Sequence, residues 1–266
     1  MKNDERFTYV DRFDRLGNTY TFSTINMDGR FGAFGYYLEE ARGNYETLAS
    51  VHGVEIENIY RVNQKHTATI VRIDEATVAE GVVRPLPALE ADGMITNVPG
   101  RILSVLTADC VPVFLYDPVK AAIGIVHSGW RGTALKITVN AINRMIEEYG
   151  TATENLLVHI GPCICGDCYE VGEELRDDFL RNYTIAEVEK MFVPATGDTA
   201  KSGKYMLNLE AAIRMSLMGL IPDTNISSDG RCTKETGELC SYRRTHELRD
   251  HILSGIMLRK TSVRTC

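Results

Sequence analysis

No apolar run in this 266-residue chain approaches the roughly 20 residues that span a bilayer. Its first residues, MKNDERFTYVDRF, are charged where a secretory signal needs an apolar stretch. These two absences predict a cytoplasmic protein with no membrane partner. Basic charge is short as well: 29 Lys+Arg against 36 Asp+Glu give a formal net charge of -7, and no Lys/Arg stripe interleaves with aromatics. A nucleic-acid partner is therefore not expected. The chain has no repeat, no low-complexity tract and no Pro/Gly/Ser-rich linker, so residues 1–266 are expected to form a single domain. The even cysteine count of a disulfide framework is missing too, and seven cysteines in a reducing compartment read as thiols or ligands.

With 44% hydrophobic and 24% charged residues, the chain can build a sizeable core. TYTFST (19–24) alternates like a strand, and YYLEEARGNYETLASVHGV has helical spacing and a glycine suited to a C-cap. TATIVRI (67–73), DGMITN (92–97), ILSVLTA, VPVFLY and AAIGIVHS read as strands. TALKITVNAINRMIEEY (133–149) reads as one helix, LLVHIGP as a buried strand, and VGEELRDDFLRNY and LNLEAAIRMSLMGL as amphipathic helices. DTNISSDG is turn chemistry, and ILSGIMLRK a last strand. Strict βαβ alternation is absent. That favours an α/β fold with mixed sheets and helices packed outside.

The chemistry concentrates in LTADCVPVFLYDPVKAAIGIVHSGWRG, Leu106 to Gly132, where Cys110 and His127 stand at the ends of apolar strands joined through a YDP turn. Thiolate and imidazole suit zinc or copper, and a catalytic zinc commonly has three protein ligands and one open position. Of the other histidines, His52 closes a helix, His159 lies in a buried strand, and His246 and His251 sit in a charged stretch. His66, in NQKHTATI, stands where a polar loop enters a strand, the kind of junction where sites are built, and is taken as the third ligand. The bland reading is a small buried thiol and two hydrogen-bonded core histidines, and spacing alone does not displace it.

Arg131, just before a helix, either grips an anionic oxygen or pairs with a surface acid. Asp109 either orients a ligand or caps a turn. Trp130, the sole tryptophan, reads as packing before purine stacking. Arg243 and Arg244 read as structural. CICGDC offers Cys163, Cys165 and Cys168, which fall short of four ligands unless Cys232 or Cys240 completes the set in space. A structural role for them is favoured over a functional one.

Taken together, ADGMIT, LTADCVPV, GIVHSGWRG, IGPCI followed by YEVG, and CSYRR resemble the signatures of the laccase-domain family, first called multicopper polyphenol oxidoreductases. Its members are similar to purine nucleoside phosphorylases with adenosine deaminase activity. The resemblance runs from about Thr21 to the SYRR segment. It implies two packed mixed sheets with helices on the outer faces, a four-layer α/β/β/α arrangement. It also implies a metal, Zn2+ with Cu2+ as the alternative, held by His66, Cys110 and His127, with Arg131 among the catalytic residues. The implied reactions are phosphorolysis of adenosine, inosine and methylthioadenosine with accompanying adenosine deamination. The partners are then nucleosides and phosphate, for a monomer or weak homo-oligomer. Two departures stand out: QKHT replaces the family's usual Q-V-H-G, and FSTINMDG carries Ile25 where an arginine is common, with Arg30 a candidate substitute.

Deamination requires an activated water at C6 of adenine. Phosphorolysis requires an anion held against the anomeric carbon and a stabilised purine leaving group. Three other readings compete. Cys110 and His127 can form a metal-free thiolate and base of an acyl transferase or deamidase. An incidental copper-dependent polyphenol oxidase is another, although six histidines are too few for true multicopper centres. The last is a metal-binding module that regulates a partner.

Overall fold

Three apolar runs, residues 102–107, 111–117 and 122–128, are buried along their whole length, which requires strands covered on both faces. The computed structural model describes residues 4–16, 18–25, 41–79, 82, 89–195, 203–246 and 250–260. Its strands are β1 (Phe7–Tyr9), β2 (Thr19–Thr24), β3 (Ile59–Arg61), β4 (Ile70–Arg72), β5 (Gly93–Thr96), β6 (Ile102–Thr107), β7 (Val111–Asp117), β8 (Ala122–Ser128), β9 (Leu157–Ile160), β10 (Glu170–Gly172), β11 (Phe192–Pro194), β12 (Lys204–Leu207), β13 (Ile226–Ser228) and β14 (Ile252–Leu258). The helices are α1 (Asp11–Asp14), α2 (Arg42–His52), α3 (Trp130–Ala134), α4 (Ile137–Tyr149), α5 (Glu174–Leu180), α6 (Ile185–Met191), α7 (Leu209–Leu217) and α8 (Tyr242–Thr245).

Two mixed sheets carry the fold. One has the order β1-β2-β14-β6-β3, with only β3 and β6 parallel. The other runs β13-β9-β7-β8-β5-β4, parallel at both edges and antiparallel inside. They face each other through a shared core in which Leu103, Val105 and Ile256 of the first meet Met94, Phe114 and Ile125 of the second. The outer face of the six-stranded sheet packs on α4 and α7 through Val113, Val126, Ile142, Met145 and Ile213. The outer face of the five-stranded sheet packs on α2 through Phe22, Tyr45 and Leu48. This is the expected four-layer order.

Several local expectations change. The helix read over 133–149 is two, because Lys136 takes a left-handed conformation (φ 55°) between α3 and α4. DTNISSDG is more than a turn: its Ile226–Ser228 pair in parallel with Val158–Ile160 as an edge strand. TATIVRI forms a strand only over Ile70–Arg72, since residues 67–69 belong to the loop that carries His66. A third, three-stranded sheet, β10-β12-β11, takes up Val171 and Gly172 of the stretch read as the helix VGEELRDDFLRNY and leaves only Glu174–Leu180 of it helical. The start of the helix read in YYLEEARG, before residue 41, lies outside the described residues, as does Arg30. Among the described residues no helix is long and apolar enough to cross a membrane.

Candidate metal centre

Cys110 and His127 meet through the β7–β8 hairpin. β6, which runs up to the ADC turn, belongs to the other sheet, so the strand ending at Thr107 is no sheet neighbour of His127. The start of β7 is: Val111 pairs with Ser128 and Pro112 with His127, which sets Cys110 beside the end of β8. β5 flanks β8 on its other side, pairing Gly93 with Val126, and this places Asp92 next to His127. β4 lies parallel to β5 and delivers the loop with His66.

Asp92 organises the site. It is fully buried, and its carboxylate accepts hydrogen bonds from His127 Nδ1 (2.8 Å), from the amides of Lys65 (3.2 Å), His66 (3.0 Å) and Thr67 (2.6 Å), and from the Thr67 hydroxyl (2.8 Å). Three successive amides on one carboxylate explain how His66 holds a positive φ of 59°, a conformation costly for a residue with a side chain. Burial raises the Asp92 carboxyl, but His127 and Thr67 outweigh it and bring it below its ordinary value. With His127 Nδ1 engaged, Nε2 faces the cluster. Gln64 anchors the same loop by exchanging two 2.8 Å hydrogen bonds with the backbone of Leu106.

On the opposite side Asp109 holds the turn that presents Cys110. Its φ is 94°, and three distant segments fix it: the Thr233 hydroxyl (2.6 Å) and the Arg243 amide (2.6 Å) donate to its carboxylate, and the Ile164 amide (3.0 Å) to its carbonyl. Asp109 thus orients the turn instead of capping it.

The outcome is that one ligand atom each of His66, Cys110 and His127 lie within 4.8 Å of one another. Cys110 Sγ and His66 Nε2 are 4.0 Å apart, and the two imidazoles stand 4.8 Å apart, nearly perpendicular at 79°. Tetrahedral zinc with ordinary bond lengths separates sulfur and nitrogen ligands by about 3.6 Å, so a few tenths of an ångström of contraction would seat an ion. Burial raises the Cys110 thiol, yet His127 and His66 together hold it down to about 6. Burial lowers His127, yet Cys110 and Asp92 lift it to about 9. Each thus favours the charged form of the other, and a bound cation would take the place of the proton on His127 Nε2.

Gly129 leaves the space beside this cluster open. A Cβ there would lie 2.8 Å from His66 Cδ2 and 3.0 Å from Cys110 Sγ. Its backbone is extended (φ -71°), which any residue adopts, so the restriction is purely steric. Gly129→Ala is expected to fold normally and to weaken metal binding about 10- to 100-fold, read by competitive metal titration; unchanged affinity would show that neither ligand needs its present position.

Arg131 is exposed and lies over the Trp130 ring at 4.2 Å. Both line a cleft of about 190 Å3 with His66, Leu135, Asp178 and Arg181. Trp130 is half-buried against the core around α4, so it packs on one side and walls the cleft on the other. Arg244 gathers the carbonyls of Thr233, Lys234, Thr236 and Leu239, the structural role expected of it. Arg243 bonds the Glu170 carbonyl at 2.8 Å and stacks on Tyr169. The remaining described histidines sit apart from the cluster. His52 packs on Phe22 in the core, and His159 meets the Ser227 hydroxyl while burial depresses it to about 4. Ile25 pairs its amide with the Arg6 carbonyl.

Asp92, Gln64 and Gly129 are the residues that sequence reasoning did not assign. The signals were present in ADGMIT, in the Q of QKHT and in HSGW, but their roles become visible only when three strands are laid side by side.

The sequence profile of the multi-copper polyphenol oxidoreductase laccase family matches residues 20–259, and the chain belongs to this family. It is 31% identical to a purine nucleoside phosphorylase of Bacteroides thetaiotaomicron, over 98% of this chain and 99% of that one. It is 32% identical to adenosine deaminase RL5 of an unknown prokaryote, over 80% and 78%. The crystal structure of Bacillus licheniformis hypothetical protein YfiH superposes with a TM-score of 0.87 at 27% identity, covering 97% of this chain and 98% of that one.

Proposed function

We propose that this chain is a zinc-dependent enzyme of purine nucleosides, working as one catalytic domain, which phosphorolyses adenosine, inosine and methylthioadenosine and also deaminates adenosine. The observation that carries the reading is the convergence of His66, Cys110 and His127 beside an open cleft. The relatives named purine nucleoside phosphorylase and adenosine deaminase supply the substrate class. A divalent ion bound there would supply Lewis-acid chemistry, polarising the purine or acidifying a water. His127 keeps Nε2 available because Asp92 holds the proton on Nδ1. Arg131 brings a guanidinium group to the cleft wall beside His66, and Arg181 a second one that pairs with Asp178 at 3.2 Å, the kind of charge that a phosphate nucleophile requires. Trp130 gives the same wall an apolar surface on which a purine can rest.

The low thiol value of Cys110 favours one second reading, a thiolate nucleophile with His127 as its acid–base partner. It leaves the approach of His66 without a purpose. One experiment separates the two. Each nucleoside is incubated with the purified protein, with and without phosphate, and the products are chromatographed. We expect free base only when phosphate is present, inosine from adenosine without it, and loss of both on chelation with recovery on adding Zn2+. Activity that survives chelation and disappears on thiol alkylation would replace the metal reading with the thiolate one.

A further inference from the structure

The cysteines of CICGDC do not reach the centre described above, yet two of them meet another cysteine from far along the chain. Cys165 and Cys168 are spaced three apart on a 3-10 turn, closed by the Cys168 amide bonding the Cys165 carbonyl at 3.1 Å. Cys232 and Glu235 repeat that spacing on a second turn. The two turns are set face to face by a short parallel bridge between Cys163 and Cys232, in which the Thr233 amide bonds the Cys163 carbonyl at 3.0 Å. One ligand atom each of Cys165, Cys168, Cys232 and Glu235 lie within 4.8 Å of one another. Cys168 Sγ and a Glu235 carboxylate oxygen are 3.6 Å apart.

The backbone around these sulfurs is arranged for thiolates. The Cys165 amide donates to Cys232 Sγ at 3.3 Å. The amides of Lys234 and Glu235 point at the same sulfur, and the Asp167 amide at that of Cys165. In each turn, therefore, the amide two residues beyond the cysteine turns back to its sulfur. Such donors favour the ionised form, which is the form that binds metal.

We propose that Cys165, Cys168, Cys232 and Glu235 form a second metal site, which holds one Zn2+ in a closed four-ligand set. Thiolate-rich, four-coordinate geometry selects zinc over harder divalent ions, and four protein ligands leave no open position, so the role is structural. Its place in the fold gives that role a target. Ile164 and Thr233, next to the two turns, are two of the three residues that fix Asp109, and Asp109 presents Cys110. An ion here ties together the segments that hold the neighbouring sulfur in place.

The test uses cobalt as a spectroscopic probe in the full chain. Cys110→Ala removes the only sulfur of the first centre and leaves the second set whole. This variant, loaded with Co2+, should retain one equivalent with strong thiolate-to-cobalt charge-transfer absorption of tetrahedral type. Adding Cys168→Ser should abolish that absorption, and Glu235→Gln should keep it while weakening affinity at least about 10-fold. If Cys168→Ser fails to fold, the Cys110→Ala spectrum still decides. Absence of thiolate–cobalt absorption in Cys110→Ala would overturn the proposal. So would a disulfide between two of these three cysteines in protein purified without reductant, with no metal retained.

Discussion

Cys110→Ala is expected to abolish the proposed phosphorolysis and deamination together, lowering kcat by more than about 100-fold. The lower bound comes from outer partners of metal ligands, whose removal alone costs 10- to 100-fold; removing the sole anionic ligand costs more. Cys110 is the only one of the three candidate ligands that could bring negative charge to an ion, and without it two imidazoles remain, with Asp92 still favouring the charged form of His127. Cys110→Ser should fare no better, because a hydroxyl does not ionise at neutral pH. Circular dichroism should match the wild type, and metal analysis should show the loss of the equivalent at this centre. A Cys110→Ala protein with near-normal turnover would detach the chemistry from this cluster altogether.

Asp92→Ala has the second large effect, and it acts on stability as well as activity. The carboxylate is fully buried and serves five donors. Its removal leaves the buried His127 imidazole without its partner, and breaking one buried charged pair costs about 3–5 kcal/mol; the part-buried amides of the His66 loop lose their common acceptor as well. Denaturant unfolding should report a loss of that size. Asp92→Asn is the informative partner: it keeps the shape, cannot accept from all five donors, and should lose 10- to 100-fold in metal affinity with a smaller loss of stability. The pH dependence follows from the lowered carboxyl. The network's contribution is present at neutral pH and disappears only as pH falls below the ordinary Asp value of 3.8. A stability loss in Asp92→Ala that persisted unchanged under strongly acidic conditions would mean that packing, not these hydrogen bonds, is what the residue provides.

Periodicity made the mixture of strands and helices legible, because it is a local signal, while the four-layer order came from the family resemblance. The short apolar runs within 102–128 read as strands and the long amphipathic stretches as helices packed outside them. The sequence was less informative wherever a conformation is set from a distance. The break at Lys136 has no proline or glycine to announce it. β13 is a strand only because β9 offers it an edge, so DTNISSDG reads as a turn when taken alone. His66, Cys110 and His127 were recognisable by residue type and by the motifs around them. What held them in place was not: Asp92 sits at the start of a strand and looks like a boundary residue until its carboxylate is seen to gather a whole loop. Cys232 was one of two candidates to complete the CICGDC thiols, and the bridge to Cys163 selects it over Cys240.

β14 lies between β2 and β6, hydrogen-bonded to both along its length. On a ribosome, those two neighbours emerge well before the strand that joins them, and each meanwhile presents an unsatisfied ladder to its surroundings. The five-stranded layer is complete only when Ile252–Leu258 lies between them. Contacts between β2 and β6 through this layer thus depend on a strand that follows β6 by about 150 residues in the chain.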